Sequence, residues 1–147
     1  MLANFGTMVQ LGQLKTTDDY TFQHSVGVSA LLTAFAKTLK FNRLTTADVG
    51  LGALLHDIGK MRVPLEILNK PGHLTASEFD EIRRHVEYGR EILGDAPWVS
   101  STAFKVMEQH HERFDGSGYP KKLKGSEISS TGQMAAIVNV YDAITAR

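Results

Sequence analysis

Apolar side chains recur every three or four positions along most of the chain, the spacing that gathers them on one face of an α-helix. The clearest run begins near Tyr20, where Val28, Leu32 and Phe35 are followed by Leu39. No stretch alternates apolar and polar residues over a useful length, so the pattern predicts an all-α fold. The predicted helices cover about residues 20–39, 45–57, 75–93, 99–111 and 132–147.

Capping residues support these helix boundaries. Thr45 is a plausible N-cap, and Asp48 in the following turn suits the positive end of the helix dipole. Thr75 and Glu78 have the spacing of a capping box, and Gly94 is expected to stop the helix that they begin.

Composition narrows the classes of function. The chain has 147 residues, enough for one domain, with 16 basic and 16 acidic residues and no net charge. This balance argues against a nucleic-acid polymer as partner. There is no cysteine, so any metal must bind nitrogen and oxygen ligands. No apolar run approaches the ~20 residues of a membrane helix, and no secretion signal precedes the first helix, so we expect no membrane association and a cytoplasmic location.

Four of the six histidines lie on the apolar faces of different predicted helices: His24, His56, His85 and His110. One histidine in such a position is usually a hydrogen-bonded core residue. Four imidazoles directed into one core are costly to bury without partners, and a metal site uses each neutral ring as a ligand. The pattern therefore predicts a metal centre between helices. His73 lies in a Pro-Gly loop, and we expect it to be exposed.

Two of these histidines have a neighbour that also carries ligand atoms. His56 precedes Asp57, and His110 precedes His111. Adjacent helical residues diverge by about 100°, so we expect each pair to reach two neighbouring metals, with the Asp57 carboxylate as a bridge. Two metals about 3.5–4 Å apart suit displacement at phosphorus by a metal-bound hydroxide. Lys60 follows one turn later, either to stabilise the phosphate charge or as a solvated helix-end cation.

The motifs "HDIGK" at 56–60 and "HHERFDGSGYP" at 110–120 resemble the HD-GYP domain, a branch of the HD metal-dependent phosphohydrolases. The stretch "NKPGHLTASEFDEIRRHVEYG" also looks like the family's segment around a central histidine ligand, and the resemblance covers nearly the whole chain. It implies an HD-type helical bundle with a dinuclear metal site in its core. The implied activity is hydrolysis of cyclic di-GMP to pGpG, GMP or both.

The resemblance also implies a role for each matching residue. Asp57 would bridge the metals, and Lys60 would meet the scissile phosphate. The signature loop of Gly118, Tyr119 and Pro120 would lie beside the substrate entrance. Two divalent ions are implied, iron or manganese in most members, with nickel or zinc also compatible with these ligands. The implied metal ligands are His24, His56, Asp57, His85, His110, His111 and Asn139.

Two positions depart from the family pattern. Members with a third metal carry a glutamate where this chain has Tyr20, so two metals are expected. The family also has an aspartate ligand where this chain has Asn139, with Asp142 three residues later. The neutral amide predicts weak binding of the second metal and slow hydrolysis.

Several alternatives remain open at the level of sequence. We expect residues 1–147 to form one HD-GYP-like domain that is truncated at its C-terminal end. A weakly active or inactive member would act as a cyclic-dinucleotide sensor, or would bind a protein partner through the GYP loop. A di-iron oxygenase of the wider superfamily is a further alternative. The sequence does not decide between cyclic di-GMP and cyclic GMP-AMP, or whether the domain forms a homodimer.

Overall fold

The all-α prediction is confirmed by a computed structural model, which describes residues 9, 11–16 and 18–145. Across these residues there is no β-strand, and one isolated antiparallel bridge joins Asp115 to Lys124. None of the described helices has the length and apolar character needed to cross a membrane. The helices are α1 (including residues 11–16), α2 (Asp19–Thr38), α3 (Arg43–Leu55), α4 (Leu65–Leu68), α5 (Ala76–Arg83), α6 (His85–Leu93), α7 (Ser101–Gln109) and α8 (Ser130–Thr145), with short 3-10 helices at Ile58–Arg62 and Gly125–Glu127.

Helices α2, α3, α7 and α8 pack around one apolar core. A second cluster joins the end of α3 to α6 and α7 through Leu55, Ile58, Leu93 and Met107. Burying a side chain of this size contributes roughly 1.5–3 kcal/mol, so these two clusters fix the relative positions of the helices. The first core contains Val28, Leu32, Ala36, Val49, Ala53, Val106, Met134, Ala135 and Val138.

Two predicted helix starts have different outcomes. The capping box at Thr75 is confirmed, because the Thr75 side chain accepts from the Glu78 backbone and Glu78 reaches back to the Thr75 backbone. The N-cap predicted at Thr45 was wrong. Asn42 caps α3 instead, and its side chain accepts from the Thr45 backbone N–H at 2.8 Å. Thr45 therefore lies inside the first turn, because asparagine with an extended backbone fills the capping position earlier in the chain.

Three predicted helices break or end at a histidine, earlier than the apolar pattern suggested. Helix α3 stops at Leu55, just before His56, and α7 stops at Gln109, just before His110. The helix predicted over 75–93 is interrupted at Arg84, so that α6 begins at His85. At these interruptions the regular helical hydrogen-bond pattern stops, and carbonyl oxygens of the preceding turn come within reach of side chains.

Gly59 allows the 3-10 helix after α3 to touch α6 directly. A Cβ at Gly59 would lie 1.8 Å from the His85 carbonyl oxygen and 2.5 Å from the Gly89 nitrogen. Both are backbone atoms, which cannot rotate away as a side chain would. Glycine at this position therefore permits the close approach that brings Asp57 beside His85.

Replacing Gly59 by alanine is expected to lower the free energy of unfolding by about 3 kcal/mol, the upper end of the range for overpacking a core. Gly12 is the matched control, because nothing lies within 4 Å of a Cβ built there. Gly12→Ala should leave stability unchanged or raise it by up to about 1 kcal/mol. Urea denaturation of the three proteins measures both effects, and equal stability of Gly59→Ala and parent would contradict the packing described.

Candidate metal centre

Three histidines are oriented by the backbone of the helix that precedes them. In each, the ring Nδ1 lies at hydrogen-bond distance from a carbonyl oxygen three residues earlier, in the last turn before the helix ends. With Nδ1–H as the donor, the lone pair of the ring is on Nε2, which is the arrangement of a metal-ligating histidine. The pairs are His56 with Ala53 at 2.5 Å, His85 with Ile82 at 2.6 Å and His110 with Met107 at 2.7 Å.

The Nε2 atoms converge on the buried carboxylate of Asp57. Its Oδ1 lies 3.1 Å from His85 Nε2 and 3.6 Å from His110 Nε2. Its Oδ2 lies 3.1 Å from His56 Nε2 and 3.9 Å from His24 Nε2. We call these two sets the Oδ1 group and the Oδ2 group. Each has the spacing of a metal site: Asp57, His85, His110 and His111 form the Oδ1 group, and His24, His56 and Asp57 form the Oδ2 group.

His110 and His111 belong to the same group, which differs from the expectation that the adjacent pair reaches two metals. Their ring centroids lie 4.2 Å apart, and both rings offer a ligand atom close to the Asp57 carboxylate. The expectation assumed helical backbone, in which neighbours diverge by about 100°. Because α7 ends at Gln109, the backbone turns after His110 and directs the second ring toward the first.

Two buried ligand atoms lack a hydrogen-bond partner among the described residues, His56 Nε2 and Asp57 Oδ1. His56 Nε2 is 3.1 Å from Asp57 Oδ2, but the two are not oriented as donor and acceptor. Leaving such an atom unsatisfied costs roughly 1–3 kcal/mol, and more for a charged group. A divalent cation between the rings and the carboxylate would satisfy both atoms, so the residues present fit divalent metal ions.

Around the Oδ1 group the electrostatics favour the protonation states that a cation requires. Burial acts to raise the pKa of Asp57, but the nearby charges of His56 and Lys60 outweigh it and hold that pKa well below its usual range. Burial lowers the pKa of His110 to about 4, and burial with the neighbouring His110 lowers the pKa of His111 further. At neutral pH Asp57 is therefore an ionised carboxylate and the His110 and His111 rings are neutral, as metal ligation demands. In the Oδ2 group burial acts to lower the pKa of His56, but the charge of Asp57 outweighs it and raises that pKa.

Lys60 lies at the edge of the Oδ2 group. Its Nζ is 3.3 Å from Asp57 Oδ2, and its side chain is 22% exposed. The 3-10 helix that starts at Ile58 turns the lysine back over the carboxylate. The ammonium group therefore contacts both the buried cluster and the solvent, which is unlike a fully solvated helix-end cation.

Asn139 and Asp142, both on α8, contact opposite nitrogens of His24. Asn139 Oδ1 lies 2.7 Å from Nε2, the nitrogen that faces Asp57, and Asp142 Oδ2 lies 2.6 Å from Nδ1. Asn139 is buried at the border of the Oδ2 group. Tyr20 is 64% exposed, and its ring stacks over that of His24 with centroids 6.4 Å apart.

The GYP loop packs against the second histidine of the pair. A Cβ at Gly118 would lie 2.4 Å from both the Arg113 nitrogen and the His111 carbonyl oxygen, so only glycine fits there. The Tyr119 N–H donates to the same His111 oxygen at 3.1 Å. The Tyr119 ring stacks on the His111 ring with centroids 4.6 Å apart, and Pro120 follows, half-buried. The loop therefore holds the outer face of His111.

Glu112 has a structural role that the sequence did not reveal. Its side chain is buried, and its two oxygens accept from the backbone N–H groups of Lys121 at 2.8 Å and Leu123 at 2.9 Å. The carboxylate therefore ties the end of the GYP loop to the histidine pair. The signal in the sequence was a charged residue directly after two buried histidines, but only the fold shows what it binds.

A cavity of about 590 Å³ opens beside the Oδ1 group. Arg83 lies on its rim, with the guanidinium group 4.6 Å from the ring centroid of Phe79 and 5.3 Å from that of Tyr119. The sequence pattern gave no indication of a role for this arginine. The cavity combines metal-group histidines, cations and aromatic faces, namely His110, His111, Arg83, Arg113, Phe79, Phe114 and Tyr119.

Comparisons with known proteins agree with this geometry. The chain is 47% identical to a cyclic di-GMP phosphodiesterase of Pseudomonas aeruginosa over 99% of its own length and 35% of the relative. It is 38% identical to 3'3'-cGAMP-specific phosphodiesterase 1 of Vibrio cholerae, with coverages of 94% and 32%. The chain thus spans about a third of the length of these relatives.

A solved structure and a family model both match most of the chain. The structure of an HDG"Y"P protein from Bdellovibrio bacteriovorus matches with a TM-score of 0.73 and 28% identity, over 87% of this chain and 42% of that one. The family model described as "HD domain" matches residues 8–147. Since that match takes in nearly the whole chain, the protein belongs to the HD domain family, and the HD-GYP resemblance seen in its motifs is confirmed.

Proposed function

We propose that this chain is the hydrolytic domain of a phosphodiesterase that opens a cyclic dinucleotide such as cyclic di-GMP. The observation that carries the proposal is the division of the Asp57 carboxylate, with Oδ1 facing one histidine group and Oδ2 the other. A buried carboxylate shared in this way suits a pair of cations. Relatives named as cyclic di-GMP and 3'3'-cGAMP phosphodiesterases support the substrate class.

In this proposal His85, His110 and His111 would hold one divalent ion, His24 and His56 would hold the other, and Asp57 would contribute one carboxylate oxygen to each group. Asn139 contributes an amide oxygen at the border of the Oδ2 group. The donors are nitrogen and oxygen, which suit iron or manganese, with nickel and zinc as alternatives. Bound divalent ions would act as Lewis acids toward a phosphoryl oxygen. They would also lower the pKa of water enough to supply a nucleophile near neutral pH.

The chain's own residues bind and orient the substrate. Lys60 offers a cation beside Asp57 for the charge that develops on the scissile phosphate. Arg83 at the cavity rim is placed for a second phosphate, and Tyr119, which contacts both Arg83 and His111, lines the cavity beside it. The cavity of about 590 Å³ falls in the usual range for small-molecule sites. Gly118 and Pro120 shape the loop that forms one wall.

A second candidate function is a cyclic-dinucleotide sensor with little turnover. The observation that favours it is Asn139, since a neutral amide stands beside His24 where a carboxylate would bind a cation more strongly. In that case the cavity and the GYP loop would still bind the nucleotide. A protein partner at the loop and a homodimer are compatible with either function.

The proposed function is tested by incubating the protein with cyclic di-GMP or 3'3'-cGAMP and added Mn(II) or Fe(II), with linear and mononucleotide products measured. We expect hydrolysis of at least one substrate.

Lys60→Ala should keep its metal and lose about 10²–10³-fold in rate, the loss typical of one preorganised electrostatic group. Arg62→Ala is the matched control, because Arg62 lies in the same 3-10 helix and pairs with Glu91 at the surface. Parental turnover in Lys60→Ala would remove that lysine from the mechanism, and binding without hydrolysis in the parent would favour the sensor.

Metal stoichiometry tests the ligand assignment group by group. His85→Ala should lose the ion of the Oδ1 group, and His56→Ala the ion of the Oδ2 group. Asp57→Ala should lose both, because each group uses one of its oxygens. His73→Ala is the control, since His73 is exposed in a loop. Metal analysis of each purified variant, with circular dichroism to verify helix content, gives the answer, and full stoichiometry in any of the three ligand variants would exclude that residue.

Asn139→Asp should strengthen metal binding at the Oδ2 group. The new carboxylate would lie beside His24 Nε2 and add a negative charge to the cation's surroundings. Even an outer partner of a metal is typically worth 10–100-fold in affinity, so the gain should reach at least about 10-fold. Titration of the metal-free protein with Mn(II) measures it, with Asn42→Asp as a control at a helix cap remote from the site. Equal affinity in the Asn139→Asp variant and the parent would place Asn139 outside the metal shell.

A further inference from the structure

His24 lacks the backbone partner that orients the other three rings. His56, His85 and His110 each follow the end of a helix, and each ring lies at hydrogen-bond distance from a carbonyl oxygen of the preceding turn. His24 lies inside α2, where the preceding carbonyls are engaged by the helix itself. Another group must therefore accept the Nδ1–H of His24 if its Nε2 is to face Asp57.

Asp142 is positioned to be that acceptor. Its Oδ2 lies 2.6 Å from His24 Nδ1, and its side chain is only 13% exposed. A carboxylate this close to a ring nitrogen forms a charge-assisted hydrogen bond, which is stronger than a bond to a neutral oxygen. It contacts the ring on the side away from Asp57, so it does not compete with a cation for Nε2.

Gly27 leaves the space that the carboxylate occupies. It lies three residues after His24 on the same face of α2, and a Cβ there would come within 2.6 Å of Asp142 Oδ1. Any larger residue would push the carboxylate away from the ring. The absence of a side chain at Gly27 therefore lets the Asp142 carboxylate of α8 reach the His24 ring of α2.

We propose that Asp142 is a positioning residue that holds His24 as the Nδ1–H tautomer and directs its Nε2 lone pair into the Oδ2 group. A carboxylate behind a histidine also makes the ring a stronger ligand. Metal affinity of the Oδ2 group thus depends on Asp142, although Asp142 never touches the ion. In the structure Asn139 Oδ1 lies 2.7 Å from Nε2. With the proton of His24 on Nδ1, the amide of the metal-free protein would turn so that its NH₂ donates to the Nε2 lone pair. This inference rests on the metal site of the proposed function.

The first measurement is the tautomer of His24 in the metal-free protein, from ¹⁵N–¹H correlations of the imidazole. We expect the proton on Nδ1 in the parent, and a shift toward the Nε2–H form in Asp142→Ala. Asp19→Asn is the control. Asp19 lies on α2, the helix of His24, and its exposed carboxylate accepts a hydrogen bond from Gln23. A parent in which His24 carries its proton on Nε2 alone would overturn the proposal.

The second measurement is Mn(II) affinity at each group. Asp142→Ala should weaken the Oδ2 group by about 10–100-fold and leave the Oδ1 group at its parental affinity. Asp142→Asn should lose less, because its amide oxygen still accepts the hydrogen bond. Gly27→Ala should weaken the Oδ2 group as Asp142→Ala does, because the new Cβ displaces the Asp142 carboxylate. This variant provides the test if Asp142→Ala does not fold.

A double-mutant cycle with His24→Ala identifies the route of the effect. If Asp142 acts through His24, then Asp142→Ala adds no further loss once the ring is gone. Additive losses, or equal weakening of both groups, would reduce Asp142 to a general structural role and overturn the proposal. None of these readouts is turnover. If metal affinity depends on Asp142 but the protein does not hydrolyse the substrate, only the proposed function is contradicted. If the protein hydrolyses the substrate but its metal affinity does not depend on Asp142, only this inference is contradicted.

Discussion

The structure depends on one buried carboxylate, that of Asp57. Removing an ionised group from water costs several kcal/mol unless partners replace the lost hydration. Here the partners are ring nitrogens from α2, α6 and the ends of α3 and α7, together with Lys60. Elements distant in sequence must meet at this point, and Gly59 removes the side chain that would keep two of them apart.

Three imidazole rings of the cluster are oriented by the ends of helices. Where a helix ends, carbonyl oxygens of its last turn come within reach of side chains. At His56, His85 and His110 the ring Nδ1 lies at hydrogen-bond distance from one of these oxygens, and Nε2 faces the cluster. The local backbone alone thus orients three imidazoles of the cluster. Only the mid-helix ligand, His24, requires a side chain from another element.

The sequence predicted the all-α fold and the inward histidines because helical periodicity is a local property that apolar spacing records directly. It failed where the backbone leaves the helix. The break at Arg84 and the common group of His110 and His111 could not follow from an assumption of continuous helices. Glu112 was missed for a different reason: its partners lie nine and eleven residues later, in a loop whose path only the folded chain defines.

The two groups around Asp57 are not equivalent toward a bound molecule. The cavity reaches His110 and His111, whereas among the described residues His24 and His56 do not line it. Tyr119 stacks on His111, so the wall of the cavity is in direct contact with the Oδ1 group. The Oδ2 group faces Asn139 and Lys60 instead. The cavity therefore gives access to the Oδ1 side of the cluster, whereas Lys60, which is not among its lining residues, lies beside Asp57 Oδ2.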